Sequence, residues 1–292
     1  MKIGVQVYLG GDAANPAFLA AVARAAEERG FHSLWLPEHV VMPPTFRSRY
    51  PYAADGRFPF DPAALPFEPF TGLAFAAALT SRIRLGTGVC ILPQRHPVYT
   101  AKQAADVDVL SGGRLDFGIG VGWLEEEFEA LAQPFARRGG RARDYVAVMR
   151  SLWCDEVSEY QGEFYTLPPC YQSPKPAQKP HPPLYFGGES EHALRRVAAL
   201  GQGWFAAGLS LEALPPRLAR LSALLAEHGR SLDQVEVFFG PPEGKADLAM
   251  AKRLREVGVE QVILGLAGRD PQRLLRRLDD YANNLVAPAA GL

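Results

Sequence analysis

Residues 99–122, YTAKQAADVDVLSGGRLDFGIGVG, contain the unit from which the fold can be predicted. Residues 99–110 have the pattern of a helix, and the Ser-Gly-Gly sequence at 111–113 is typical of a turn. Residues 115–119 are short and apolar, as expected for a buried strand. A helix, a glycine turn and a buried strand in this order predict one crossover unit of a parallel sheet.

The same alternation of strands and helices extends over the whole chain. Eight strands are predicted, each followed by a helix, at residues 2–8, 33–36, 83–89, 115–119, 184–186, 204–206, 235–239 and 261–264. Such alternation predicts an α/β protein with a parallel sheet. Eight units in 292 residues fit a closed (β/α)₈ TIM barrel better than a doubly wound sheet, so we expect one barrel domain over residues 1–292.

Two proline-rich segments without helical periodicity interrupt this pattern, at residues 37–69 and 175–183. We expect both insertion loops at the C-terminal face of the barrel, where barrel enzymes build their active sites. The first is long enough to be a functional loop. It is predicted to form a substrate lid with five aromatic side chains, Phe46, Tyr50, Tyr52, Phe58 and Phe60.

The composition is that of a soluble globular protein. Lys and Arg total 31 and Asp and Glu total 32, so the formal charge is 31 − 32 = −1, which argues against nucleic acid or an anionic membrane as the main partner. Cys90, Cys154 and Cys170 are far apart and show no CxxC spacing, which indicates a reducing compartment. With no signal peptide and no apolar run of 18 residues, we predict a cytoplasmic protein.

Several catalytic motifs are absent from the sequence. HExxH, GxSxG and GxxxxGK[ST] do not occur, and the histidines show no metal-ligand spacing. Zinc hydrolysis, serine acyl transfer and P-loop phosphoryl transfer therefore lose support. We expect no metal site and a small organic molecule as the substrate.

Glu38 and His39 are adjacent at the carboxyl end of the second predicted strand. An acid and an imidazole there can contact a cofactor ring and transfer protons near neutral pH. The alternative is a pair that only stabilises the loop. Because barrel active sites lie at the carboxyl ends of strands, we favour His39 as an acid/base. Glu38 would either orient His39 or contact the ring.

Glycines follow the third and fourth predicted strands. In the segment GTGVCILPQRHP at 86–97 they permit either close approach of a ligand or a tight turn, and both interpretations stay open. The segment GIGVGW at 118–123 fails the GxGxxG spacing of a dinucleotide loop, because Trp123 stands at the third glycine position. We favour small residues that let a planar ring approach beside an aromatic wall.

The segment GGES at 187–190 lies between the fifth predicted strand and a helix. Free backbone N–H groups and the Ser190 hydroxyl suit a phosphate or a carboxylate, whereas the alternative is a turn with a serine N-cap. A second candidate for contact with anions is RRGGRAR at 137–143, which has four arginines in seven residues. These arginines either meet an anionic tail or form a solvated helix start.

Five segments, taken in order, resemble the bacterial luciferase-like monooxygenase superfamily, whose members are (β/α)₈ barrels. They are SLWLPEH (33–39), IRLGTGVCILPQRHP (83–97), DVLSGGRLDFGIGVGWLEEEF (108–128), PPLYFGG (182–188) and LRRVAALGQGW (194–204). The resemblance extends from Met1 to about Tyr281 and is strongest to the subgroup assigned to the deazaflavin coenzyme F420.

The resemblance implies an isoalloxazine-like ring at the C-terminal mouth of the barrel and a non-proline cis peptide bond at Gly88–Val89. The family's acid–histidine pair corresponds to Glu38 and His39. The implied cofactor-binding residues are Gly88, Val89, Gly120, Gly122 and Trp123 around the ring, and Gly187, Gly188 and Ser190 at the phosphate.

An oxidoreductase that moves hydride between an organic substrate and C5 of bound F420 is the activity that the resemblance implies. The first alternative is a monooxygenase that uses reduced FMN and O₂, and the second is a non-catalytic flavin-binding barrel. Relatives that oxidise sugar phosphates carry a catalytic Glu where Trp123 stands, which counts against that substrate class. The resemblance also suggests a homodimer.

Overall fold

A computed structural model describes residues 1–53 and 55–292. Its strands are β1 (Lys2–Tyr8), β2 (Ser33–Leu36), β3 (Arg84–Thr87), β4 (Cys90–Ile91), β5 (Leu115–Gly120), β6 (Ser158–Gln161), β7 (Thr166–Cys170), β8 (Leu184–Gly187), β9 (Gly203–Ala207), β10 (Glu236–Gly240) and β11 (Gln261–Ala267). Its α-helices are α1 (Pro16–Glu28), α2 (Pro69–Leu79), α3 (Pro97–Leu110), α4 (Glu125–Ala130), α5 (Arg138–Cys154), α6 (Glu191–Leu200), α7 (Leu214–Ala226), α8 (Leu248–Glu256), α9 (Pro271–Tyr281) and α10 (Ala287–Ala289).

The strands form the predicted closed parallel barrel. Strand β1 pairs with β2 on one side and with β11 on the other, and the pairing continues around the wall from β11 through β10, β9, β8 and β5. Strand β5 closes the ring by pairing with both β3 and β4. Strand β3 lies within the third predicted strand (83–89), and β4 continues the same wall position after an interruption at Gly88 and Val89. The wall therefore has eight strands, and the TIM-barrel prediction is confirmed.

Helices cover the outside of the wall, and their ends follow local sequence signals. Asn15 caps α1 by accepting a hydrogen bond from the backbone N–H of Phe18 at 2.9 Å, and Gly30 follows the helix at φ +76°, a conformation that favours glycine. Asp247 caps α8 by accepting a hydrogen bond from the Met250 N–H, so this helix begins at Leu248. None of the helices in residues 1–53 and 55–292 is long and apolar enough to span a membrane.

The two insertion loops lie at opposite faces of the barrel. The prediction that both lie at the C-terminal face was therefore wrong for the 175–183 segment. The 37–69 segment follows β2 and lies at the C-terminal face, as expected. The 175–183 segment contacts the amino-terminal ends of strands instead, because Gln178 Nε2 donates to the Leu115 carbonyl at 2.8 Å and Gln178 Oε1 accepts from Arg84 at 3.2 Å. The physical reason is that this segment follows α5, which runs back to the amino-terminal face, and the β6–β7 hairpin.

The inside of the barrel is filled by an aromatic cluster centred on Trp35. Its buried members are Trp35, Tyr185, Phe205, Phe238 and Ile263, and Val89 and Ala207 pack against them. The wall is adapted to this large side chain, because a β-carbon at Gly86 would lie 2.2 Å from Cε3 of Trp35. The indole N–H of Trp35 donates to Ser33 Oγ at 2.6 Å, so its one polar atom is satisfied.

Truncation of Trp35 should therefore weaken the whole barrel. We expect Trp35→Ala to lower the free energy of unfolding by about 3–5 kcal/mol, because it removes a buried indole and leaves a cavity between the strands. Urea titration followed by circular dichroism measures this change. The matched control is Tyr171→Ala, since Tyr171 is 79% exposed and should change the free energy by less than about 0.5 kcal/mol. Equal losses in the two variants would contradict this role for Trp35.

Candidate active site at the barrel mouth

The break between β3 and β4 is fixed by the neighbouring strands. The Gly88–Val89 peptide bond is cis, as the resemblance implied. The Gly88 N–H donates to the Leu36 carbonyl at 2.7 Å, and the Gly88 carbonyl accepts from the side chain of Gln6. Residues at the ends of β1 and β2 therefore hold this peptide in place at the C-terminal mouth.

The Val89 side chain occupies the centre of the mouth between two other strand ends. A β-carbon at Gly120 would lie 2.5 Å from Cγ2 of Val89, and one at Gly187 would lie 3.3 Å from Cγ1. Glycines at the ends of β5 and β8 thus make room for Val89, which rests below on the Trp35 cluster. Gly88 and Val89 are half-buried, so they leave an apolar surface open to the mouth.

Gly122 is required by packing within the protein. Its φ is +78°, and a β-carbon there would lie 2.6 Å from the ring of Phe128 and 2.8 Å from Cγ2 of Ile91. Its carbonyl accepts from Nε of Arg138 at 3.1 Å. A direct contact between Gly122 and a cofactor ring therefore stays a prediction.

The 187–190 loop has the geometry of a capped helix start. Gly188 has φ +101°, and its carbonyl accepts from the indole N–H of Trp204 at 2.8 Å. The Ser190 hydroxyl accepts from the Ala193 N–H at 3.2 Å. This is the geometry expected for the alternative interpretation, a turn with a serine N-cap. Phosphate binding by this loop remains a prediction.

Glu38 is buried and paired with cationic and backbone donors. Its carboxylate accepts from the Ile91 N–H at 2.5 Å and lies 3.1 Å from Nη2 of Arg95. Burial raises the pKa of Glu38, and the charge of Arg95 opposes that rise. The same Arg95 guanidinium pairs with Glu68, so one arginine joins the carboxylates at the two ends of the long loop.

His39 is oriented by a residue that the sequence did not single out. Its Nδ1 lies 3.0 Å from Oε2 of Glu127 in α4, and the other oxygen of Glu127 accepts from the Val40 N–H at 2.7 Å. Both side chains are buried, at 8% and 1% exposure. Glu127 is therefore the carboxylate in contact with His39, whereas the carboxylate of Glu38 is engaged by Arg95.

Trp123 forms the predicted aromatic wall at the mouth. Its ring centroid lies 5.8 Å from those of His39 and Phe46, 5.2 Å from that of Tyr50 and 5.8 Å from that of Phe58. All four partners come from the long loop. The wall therefore joins the end of β5, the candidate acid/base and the loop into one apolar cluster.

The long loop contacts both sides of the mouth, and we call its described residues, 37–53 and 55–68, the lid, because α2 begins at Pro69. Phe60 stacks on Tyr8 at the end of β1, with ring centroids 4.0 Å apart. Tyr52 reaches the opposite rim, where a β-carbon at Gly208 would lie 2.8 Å from its ring. The lid thus makes contacts from β1 across to the loop after β9.

Glu126 fastens the middle of the lid to α4. Its carboxylate accepts from the backbone N–H groups of Arg47 at 2.6 Å and Ser48 at 3.3 Å. Although burial opposes the shift, hydrogen bonds from the Ser48 hydroxyl and from these backbone N–H groups lower the pKa of Glu126 to about 2. The carboxylate therefore contributes its full stabilisation above pH 4.5 and loses it as the pH falls through about 2.

Across residues 1–53 and 55–292, no three His, Cys, Asp or Glu side chains are arranged to hold a metal ion. At the mouth, the His39–Glu127 pair lies beside the aromatic rings around Trp123.

Comparison with known proteins identifies a sequence relative of similar length and solved structures with the same fold. An uncharacterised protein of Mycobacterium tuberculosis is 33% identical over 278 residues, covering 92% of this chain and 95% of that protein. A monooxygenase from Streptomyces bottropensis, RslO1, superposes with a TM-score of 0.80 at 21% identity, covering 98% of this chain and 99% of that one. The coenzyme F420 dependent tetrahydromethanopterin reductase from Methanopyrus kandleri superposes with a TM-score of 0.76 at 16% identity, covering 98% of both chains.

A match to a family model identifies the family of this chain. The model described as luciferase-like monooxygenase matches residues 1–242, which include the barrel strands up to β10, the lid, Val89 and the His39–Glu127 pair. The chain belongs to the luciferase-like monooxygenase family of oxidoreductases.

Proposed function

We propose that this protein is an oxidoreductase that transfers hydride between an organic substrate and bound coenzyme F420. The observation that carries the proposal is the apolar surface where Val89 packs between Gly120 and Gly187 at the barrel mouth, together with the buried His39–Glu127 pair at the same face. A planar ring needs such a surface, and a hydride transfer coupled to proton transfer needs a neighbouring acid or base.

The residues at the mouth fit a flavin-like ring with an anionic tail. Gly88 and Val89 would bind one face of the ring, with Gly120 below and Trp123 as the wall. Gly187, Gly188 and Ser190 would bind a phosphate of the tail through backbone N–H groups at the start of α6. When bound, the deazaflavin supplies a carbon that donates or accepts hydride.

His39 would hold or release the proton that balances the hydride. Since Nδ1 is held by Glu127, Nε2 is the nitrogen left to face a substrate in the mouth. Glu127 is a positioning residue in this proposal, because it acts through His39. Glu38 would contact the ring or only support the loop, and its pairing with Arg95 favours support.

FMN-dependent monooxygenation with O₂ is the second candidate function. It is favoured by the family's description as monooxygenases and by the similarity to RslO1. The apolar surface at the mouth suits either ring, so the choice depends on affinity. A non-catalytic flavin-binding barrel is disfavoured, because it would not need a buried His39–Glu127 pair. Absence of cofactor-dependent turnover across a broad substrate panel would favour it.

A calorimetric titration of the cofactor-free protein with F420 and with FMN tests the choice of cofactor. We expect F420 to bind at micromolar or tighter dissociation constants and FMN to bind much more weakly. The reverse preference would make the monooxygenase the leading function. Binding of neither compound would overturn the assignment of the mouth as a ring site.

Replacing His39 tests the acid/base role. We expect His39→Ala to lower turnover by about 10²–10⁴-fold while the affinity for the cofactor stays unchanged, because the imidazole transfers a proton and does not hold the ring. Steady-state kinetics with a substrate found by screening measure this, with His228→Ala on an exposed surface as the control. Unchanged turnover in His39→Ala would contradict an acid/base role for His39.

Glu127 should show the pattern of a positioning residue. We expect Glu127→Gln to lower kcat by at least about tenfold with little change in KM, and Glu127→Asp to recover part of the loss. Cofactor affinity, measured in the same titration, should not change. A fall in kcat that Glu127→Asp does not recover, together with a lower midpoint of thermal unfolding, would indicate only a structural role.

Removing the carboxylate of Glu126 should loosen the lid. We expect Glu126→Ala to speed cleavage by trypsin after the exposed Arg47 or Arg49, because two backbone N–H groups of the lid lose their acceptor. Mass spectrometry of the fragments identifies the cut. The matched control is Glu129→Ala, whose carboxylate is 62% exposed and 4.0 Å from Arg47. Equal cleavage rates in the two variants would show that Glu126 does not fasten the lid.

A further inference from the structure

The layer of the barrel interior directly above the Trp35 cluster is almost without side chains. Its strand residues are glycines, one alanine and one glutamine, namely Gly120, Gly187, Ala207, Gly240, Gly265 and Gln6. A β-carbon at Gly240 would lie 3.3 Å from the ring of Phe205, and Ala207 packs on the same cluster. The layer is therefore a cup with an apolar floor, and among these described strand residues only Gln6 has a polar side chain.

Gln6 faces into this cup. Side chains alternate between the two faces of a strand, so Gln6 and Gly4 share a face of β1. A β-carbon at Gly4 would lie 2.3 Å from Ser33 Oγ, the atom that accepts from the indole of Trp35 inside the barrel. Gln6 is also paired in register with Trp35 of β2. Its side chain therefore belongs to the interior, above the indole.

One end of the Gln6 amide is fixed by the edge of the mouth. Nε2 donates to the Gly88 carbonyl, and a β-carbon at Gly88 would lie 3.1 Å from that nitrogen. Because a carbonyl oxygen can only accept, this contact decides which end of the amide is the nitrogen. The other end, Oε1, therefore points away from Gly88.

Oε1 of Gln6 is left without a donor. Within residues 1–53 and 55–292 no N–H or O–H group donates to it, whereas Gln178 uses both ends of its amide. Gln6 is only half-buried, and its Oε1 is not among the sealed polar atoms of the core. The cup thus offers a ligand one hydrogen-bond acceptor of fixed orientation.

An acceptor of this kind selects ligands by their hydrogen-bonding groups. A ligand that places an N–H or O–H group against Oε1 replaces the water lost on binding. An ether, a carbonyl or a methyl group would leave the oxygen desolvated and unpaired. Since the Gly88 carbonyl holds Nε2, the amide cannot turn around to offer a donor without breaking that bond. The selection is therefore one-sided.

We propose that Gln6 is a specificity-determining residue whose Oε1 accepts a hydrogen bond from an N–H or O–H group of the molecule bound in the mouth. That group can come from two sources, the N3–H of a flavin or deazaflavin ring and a hydroxyl or amine of the organic substrate. The proposal rests on the proposed function for the identity of the ring, whereas selection by Gln6 needs only a ligand in the cup.

The test uses pairs of ligands that differ only in this donor. For the ring, the pairs are FMN with 3-methyl-FMN and 5-deazariboflavin with its 3-methyl derivative, titrated by calorimetry. For the substrate, the pair is benzyl alcohol with benzyl methyl ether, titrated by ligand-observed NMR into protein with cofactor bound. The proteins are the wild-type chain, Gln6→Met and the matched control Gln272→Met, whose glutamine is exposed on α9.

We expect the wild-type preference for the donor member of a pair to shrink by about 3- to 10-fold in Gln6→Met, because one hydrogen bond is lost. Steric effects of the added methyl group are present in both proteins and cancel in this ratio. A change in the ring pairs assigns the donor to the ring, and a change in the alcohol pair assigns it to the substrate. A preference that stays the same as in the wild-type chain in every pair would overturn the proposal, and so would an equal loss in Gln272→Met.

Gln6→Lys covers the case in which Gln6→Met does not fold. Its ammonium group keeps an N–H donor for the Gly88 carbonyl but offers no acceptor. The same loss of preference is therefore expected, and an unchanged preference in Gln6→Lys would contradict the role of Oε1.

Failure of the proposed function gives a different result. If no ring binds the wild-type chain, the assignment of the mouth as a ring site is wrong, and the alcohol and the ether are titrated into the cofactor-free protein. A preference for the alcohol that is lost in Gln6→Lys but kept in Gln272→Met would support the role of Gln6. No preference in the wild-type chain would overturn it.

Discussion

The filling of the barrel by Trp35 is the constraint on which the rest of the structure depends. An eight-stranded parallel barrel has an interior just wide enough for side chains, so its strands stay in register only if that interior is packed. Gly86 in the wall gives the indole its space, and Tyr185, Phe205 and Phe238 pack around it. Val89 rests on this cluster and rises to the mouth, so the candidate ring surface is the upper layer of the barrel core. The position of the candidate ring surface is therefore set by the side-chain packing beneath it.

At the mouth, above the Trp35 cluster, the two buried carboxylates of Glu38 and Glu127 each have a fixed partner. Glu38 is held by Arg95 and by a backbone N–H, and Glu127 is held by His39 and by backbone N–H groups of the lid. Such pairing offsets the cost of removing charges from water, which an unpartnered carboxylate would bear in full.

The barrel could be predicted because each of its units is a local pattern, an apolar strand followed by an amphipathic helix. The positions of Gly88, Val89, Gly120 and Gly187 followed from that pattern, since parallel strands end at one face. The partner of His39 could not be predicted in this way, because Glu127 lies 88 residues away and only the packing of α4 on the lid brings them together. The acidic run at 125–127 was visible in the sequence, yet nothing in its spacing distinguished Glu126, Glu127 and the exposed Glu125. The 175–183 loop was misplaced because an extra hairpin after α5 breaks the simple alternation.

Arg95 joins Glu38 and Glu68, the second and the last residue of the lid, to one guanidinium. Both ends of the lid are therefore held at one guanidinium group, so the length of the lid can change with little effect on the barrel. Lengthening a flexible loop whose ends are already joined costs little, roughly 0.6 kcal/mol for each doubling. Insertions, deletions and wholesale exchange between relatives can then alter the cover of the mouth without disturbing the strands or the groups beneath it. Changes confined to the lid can therefore alter the range of substrates, while the residues beneath the lid stay the same.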